Sequence, residues 1–386
     1  MTRVPVNTEL LRWARERAGL TQDALTGKFK KLPEWESGSI QPTLKQAEAF
    51  ARTVHVPVGY LFLTHPPEEP VPIPDFRTLA GQTVTRPSPN LLDMIYACQE
   101  RRSWYRDFLR VAQEPELDFV GSVTIDMQPV EVAAHMRETL GFDVNARREC
   151  PTWADALRLF IRQADEAGVL VMTNGIVMSN TSRRLDPTGF RGFALSDPLA
   201  PLIFINGADT KTAQMFTLAH ELAHLWLGAS ALSNIGAESW RQGFRPEEVW
   251  CNAVAAELLV PLADLHKELR DEEPLAAAPR LARAFKVSTL VILRRLLDAN
   301  RLDRPSFDSA WEQESEQLKA KALARSEDES GDFYRTTLAR VSPRFARALV
   351  ASTLEGQTLY RDAFRMLGIS KTETFNKLRR EIGVVG

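Results

Sequence analysis

From Phe216 to Leu227 the chain reads FTLAHELAHLWL, an apolar run broken mainly by His220, Glu221 and His224. Apolar residues in such density belong inside a core, and ionisable side chains carried in with them are costly unless something holds them. The spacing says what holds them. On a helix, residues four apart share a face, so His220 and His224 converge on one point while Glu221 sits about 100° round the axis. Two imidazoles so placed bind one zinc ion, which lowers the pKa of a bound water toward ~7, and the glutamate accepts that water's proton. Asp209 or Thr210 is placed to cap this helix, and Gly228 to end it.

A catalytic zinc takes a third protein ligand and keeps one position open. The extended pattern H-E-x-x-H-x-x-G-x-x-H is absent, since position 227 is leucine and position 230 is serine. The third ligand must come from another element. A second helix begins at Pro246, and on it Glu248 and Asn252 share a face. Glu248 is the preferred ligand, with Asn252 supporting the site from behind; Glu247 and Glu257 compete for the role. Cys251 lies off that face and reads as a small buried residue.

The remaining text divides into modules. At 386 residues the chain is long enough for two or three domains. Residues 1–65 read as four or five short helices, with a third helix expected around Lys30–Glu36 although Pro33 must sit in its first turn. Five prolines between Pro66 and Pro74 mark a linker, set at 66–89. Residues 90–300 then form the zinc domain with a helical lead-in, for which Trp104, Phe108, Leu109, Trp153, Leu157 and Phe160 are expected core positions. Three short β-type runs, at 169–172, 193–195 and 202–205, precede the histidine helix. The helical C-terminal region, 301–386, holds a solvated helix or connector over 312–331. Two further stretches, Leu281–Leu302 and Tyr360–Ile382, read as helix, tight turn and helix. The expected fold is therefore multidomain and mainly α, with an α+β zincin-like core between an all-α N-terminal domain and a helical C-terminal region.

Composition narrows the setting. Apolar and charged fractions of 44% and 25% are ordinary for a globular protein, and a net charge of −2 provides no global attraction for nucleic acid. Three scattered cysteines without a CxxC pair argue against a disulfide framework; the N-terminus reaches charged residues at once and no stretch nears about 18 apolar residues, so neither secretion nor a membrane span is expected. The expected location is the cytoplasm.

The run FTLAHELAHLWLG followed by EEVWCNAVAAELLVP resembles the ImmA/IrrE family of bacterial metallopeptidases, over roughly residues 150–300. The resemblance implies that His220, His224 and Glu248 hold Zn2+ and that Glu221 is the general base. It also implies that FRGFALSD and PLIFIN are family strands, and that an extended peptide adds to the sheet at an edge strand near Phe193. Residues 8–63 resemble the XRE type of helix-turn-helix through Gly19-Leu20-Thr21, Trp35-Glu36-Ser37-Gly38 and Pro42-Thr43-Leu44. They depart from it in Lys28–Glu34, which lacks the usual side chains for reading bases. Nine Lys and Arg against six Asp and Glu in residues 1–65 suit phosphate contacts, with Arg12, Lys28, Lys30 and Lys31 as the candidates.

Together the resemblances imply a regulatory endopeptidase of the stress or mobile-element type that cleaves a DNA-binding repressor. Operator DNA and a second copy of the chain are its further expected partners. The alternative is a DNA-binding transcription regulator whose zinc domain senses and cuts nothing.

Overall fold

The computed structural model describes residues 3–69, 72–74, 87–233, 245–270, 272–324 and 333–384. These fall into two compact units, Met1–Pro72 with Thr85–Asp93, and Ile73–Val84 with Met94–Gly386. Most of the linker expected over 66–89 lies outside the described residues, as does the end of the 312–331 connector.

The first unit holds α1 (Thr8–Arg17), α2 (Gln22–Thr26), α3 (Leu32–Glu36), α4 (Leu44–Thr53) and a 3-10 turn at Val58–Phe62. Its core gathers Leu11, Ala14, Leu25, Leu32, Trp35, Phe50, Val54 and Leu61. Thr21 caps α2, while Thr43 and Gln46 form a reciprocal capping box on α4. Inside, Arg15 grips the nearly buried Glu36 through two bonds of 2.7 and 3.2 Å, and Gln22 adds a third at 3.1 Å. The third helix is shorter than expected. It starts at Leu32, because Pro33 has no N–H and is accepted only within a helix's first turn.

Beyond it come α5 (Pro89–Val111), α6 (Pro129–Leu140), α7 (Val144–Arg148), α8 (Trp153–Glu166), β1 (Leu170–Asn174), β2 (Ile176–Val177), β3 (Asn180–Arg184), β4 (Gly192–Leu195) and β5 (Leu202–Asn206). The chain continues through α9 (Lys211–Trp226), β6 (Ala231–Ser233), α10 (Pro246–Leu259), α11 (Leu262–Glu268), α12 (Pro274–Phe285), α13 (Thr289–Asp298) and α14 (Arg304–Ala324). It finishes with α15 (Phe333–Val341), α16 (Pro343–Leu354), α17 (Tyr360–Leu367) and α18 (Thr372–Glu381). No helix among the described residues is long and apolar enough to cross a membrane.

Four strands make one mixed sheet in the order β1-β5-β4-β6, with β1 parallel to β5 and the other pairs antiparallel. β4 and β5 are buried throughout, which is why they read as unbroken apolar runs. Val171, Ala194, Ile203 and Ile205 join one core with Met215, Leu218 and Leu222 of α9. On α5, the buried guanidinium of Arg101 reaches Met172 of β1 at 3.8 Å and the Met366 carbonyl at 2.9 Å.

The core positions expected in the lead-in divide. Leu157 and Phe160 are buried, but Trp104, Phe108 and Leu109 are half-buried and Trp153 is 36% exposed. Trp153 is the first residue of α8, where one edge of the indole meets water and its N–H bonds the Val287 carbonyl at 3.4 Å. The C-terminal helices are fastened to the end of α8. Ser342 caps α16 and donates to Asp165 at 2.8 Å, while Arg344 donates to the carbonyls of Asp165 and Glu166.

The expectation that a peptide adds to the sheet beside Phe193 is overturned. β4 is not an edge: Phe193 pairs with Phe204 on one side and Leu232 of β6 on the other. β6 is too short to announce itself by alternation, so only its pairing reveals it. Its own outer side is met by the Pro74 carbonyl, which accepts from Leu232 N at 3.0 Å.

Candidate metal centre

Thr210 begins α9 by accepting from Ala213 N at 3.3 Å, and Gly228, at φ +70°, takes the left-handed conformation just past its end. Between them the helix is almost wholly inside, and His220, Glu221 and His224 have no exposed surface. α10 lies against α9 and presents Glu248, 3% exposed, and Asn252, fully buried.

The side chains from the two helices meet. Nε2 of His220 and Nε2 of His224 stand 3.0 Å apart, and the Glu248 carboxylate lies 3.3 Å from the first and 3.0 Å from the second. Among the described residues these three form the group able to hold a metal ion. The separations fit zinc, since ligands about 2.0–2.1 Å from a tetrahedral ion are roughly 3.3 Å from one another.

Behind the cluster, Asn252 Oδ1 lies 3.0 Å from His220 Nδ1. An oxygen there keeps the ring proton on Nδ1 and leaves the Nε2 lone pair for a metal. Burial depresses the His224 pKa against the pull of Glu248, so that ring favours the neutral form a metal ligand requires. For Glu248, burial works toward protonation but is outweighed by the attraction and hydrogen bonding of the His220 and His224 imidazoles, which hold the carboxyl well below its usual range.

The competing glutamates lie elsewhere. Glu257 pairs with the buried guanidinium of Arg295 and accepts from Leu262 N at 3.4 Å. Glu247 is half-buried and outside the cluster. Cys251 is buried, as expected, but its thiol also lies 3.6 Å from Nδ1 of His224, which sequence reasoning missed. Its position three residues after Glu248 was the available signal, since i and i+3 are neighbours on a helix.

In the first unit Arg12, Lys28, Lys30 and Lys31 are all exposed. The three lysines sit on the turn between α2 and α3, and Lys28 is tied to Thr53 at 3.0 Å. α3 itself shows solvent Pro33 and, in part, Glu34, neither of which donates to a base edge or a phosphate.

A buried His-His-Glu cluster carried by two helices beneath a small mixed sheet fits a zincin-like metallopeptidase domain. Residues 164–297, from the end of α8 to α13, match the peptidase family described as the IrrE N-terminal-like domain. Residues 341–381, which include α16 to α18, match a domain of unknown function (DUF8813). Comparison with curated proteins finds no match for the chain.

Proposed function

We propose that the protein is a regulatory zinc endopeptidase that cleaves a DNA-binding repressor, with His220, His224 and Glu248 as metal ligands and Glu221 as general base. The observation that carries this reading is the convergence of three buried ligand atoms from α9 and α10, one residue from an equally buried glutamate. Zinc held there would supply Lewis acidity toward a peptide carbonyl and an acidified water. Glu221 takes the proton of the attacking water and returns it to the leaving amine nitrogen. Asn252 fixes the tautomer of His220, and Glu248 balances the ion's charge.

In this reading residues 1–65 form a helix-turn-helix module that brings the enzyme to operator DNA or to its substrate. Residues 66–89 link it to the peptidase domain at 90–300, and 301–386 complete the chain. The turn lysines would touch phosphates, which places the protein without reading sequence.

A second reading has one observation in its favour: the centre's near-complete burial suits a zinc sensor that never admits a polypeptide. Glu221→Gln separates the two. The variant should bind one zinc and fail to cleave a DNA-binding repressor that the wild-type protein cleaves when the purified proteins are incubated. Cleavage at the wild-type rate would refute the peptidase reading.

A further inference from the structure

β4 passes α9 at Gly192. A Cβ placed there would stand 2.5 Å from Cγ2 of Thr217, 2.9 Å from the Phe204 carbonyl oxygen and 3.3 Å from Oε1 of Glu221. The first two distances are closer than packed non-bonded atoms come, so position 192 has no room for a side chain. Close approach of the backbone requires this glycine, which marks the spot where the sheet rests on the helix.

Thr217 precedes Glu221 by one turn and points along the same face. It is 1% exposed, and its branched side chain has few rotamers, so the methyl is a stiff wall. Glutamate has three rotatable bonds, whereas a working base must be held within roughly 0.5 Å of its productive place. The point beside the Gly192 backbone that the threonine methyl fills is also the one that Oε1 of Glu221 approaches.

We propose that Gly192 and the Thr217 methyl form a slot that positions the Glu221 carboxylate beside the metal. Both are positioning residues, acting through Glu221, and the inference rests on the base role proposed for that residue. The slot explains why a Gly in FRGFAL and a polar Thr in an apolar helix occupy positions facing one another.

The test uses the full-length cobalt-loaded protein and acetohydroxamic acid, which binds a metal while passing its proton to a neighbouring carboxylate. Affinity is read from the visible spectrum, beside cobalt stoichiometry and the thermal midpoint. Thr217→Ser, which loses the methyl without adding bulk, should weaken the hydroxamate on the order of 10-fold while keeping cobalt and stability. Thr217→Val, which retains a methyl, should restore it. Wild-type affinity in Thr217→Ser, or an equal loss in Thr217→Val, overturns the slot. If Glu221→Gln weakens the hydroxamate and Thr217→Ser does not, only the slot fails. If Glu221→Gln changes nothing, the base role fails and the slot with it.

Discussion

Replacing Asn252 by leucine removes the oxygen 3.0 Å from His220 Nδ1 while nearly preserving side-chain volume. The Nδ1 proton then has an apolar neighbour in a place with no exposed surface, which costs about 1–3 kcal/mol. Part of that appears as lost stability of the metal-free protein and part as lost metal affinity, since the ring can turn or change tautomer. Removing such a supporting hydrogen bond weakens metal binding by about 10–100-fold, or ~1.4–2.8 kcal/mol. Thermal melts at fixed free zinc read both effects. At a zinc concentration ~100 times the wild-type Kd the metal stabilises by about 2.7 kcal/mol, and a tenfold weaker site retains about 1.4 kcal/mol. Chelator competition gives Kd directly, and Asn252→Asp, which keeps an oxygen acceptor, should stay close to wild type. Zinc binding as tight in Asn252→Leu as in the parent would refute the tautomer argument.

Glu257→Gln should leave zinc stoichiometry intact but lower stability by about 1–3 kcal/mol, because it removes one of the two carboxylates paired with the nearly buried Arg295, which keeps Asp298 at 3.0 Å; lost zinc with an unchanged melt would instead make Glu257 the ligand. Iodoacetamide should modify half-buried Cys150 in the native protein and spare Cys98, whose thiol is pushed up to about 12 by burial. Cys98 also has a stability signature: between the ordinary thiol range and about 12, the unfolded chain releases a proton the native chain keeps, so stability falls as pH rises through that window. For Lys30→Ala and Lys31→Ala, the salt dependence of binding to DNA from upstream of the gene should become shallower by about 0.9 for each phosphate no longer neutralised. An unaltered slope would point to protein docking by the first unit.

The cluster was legible because helix geometry is local: i and i+4 place His220 with His224, and Glu248 with Asn252, before anything is known of the packing. Choosing among Glu247, Glu248 and Glu257 needed the partners each one finds, Arg295 above all, which lies 38 positions from Glu257. Strand existence was readable at β1, β4 and β5 from their apolar runs. The hairpin of β2 and β3 and the three-residue β6 were not, since too few residues alternate to carry a period and their pairing is tertiary. Gly192 escaped for a related reason. A glycine in a strand signals close approach, but only the fold says to what.

The proposed ligands on α9 and the proposed ligand on α10 are separated in the chain by residues 225–247. An ion shared between them is therefore a cross-link that closes a loop, as a disulfide would, and it restricts the helices' separation whenever it is bound. Withdrawing zinc frees one end of that loop. Amide exchange along α10 should then quicken before the rest of the core responds, so the helix reports the metal status of its surroundings through its own dynamics.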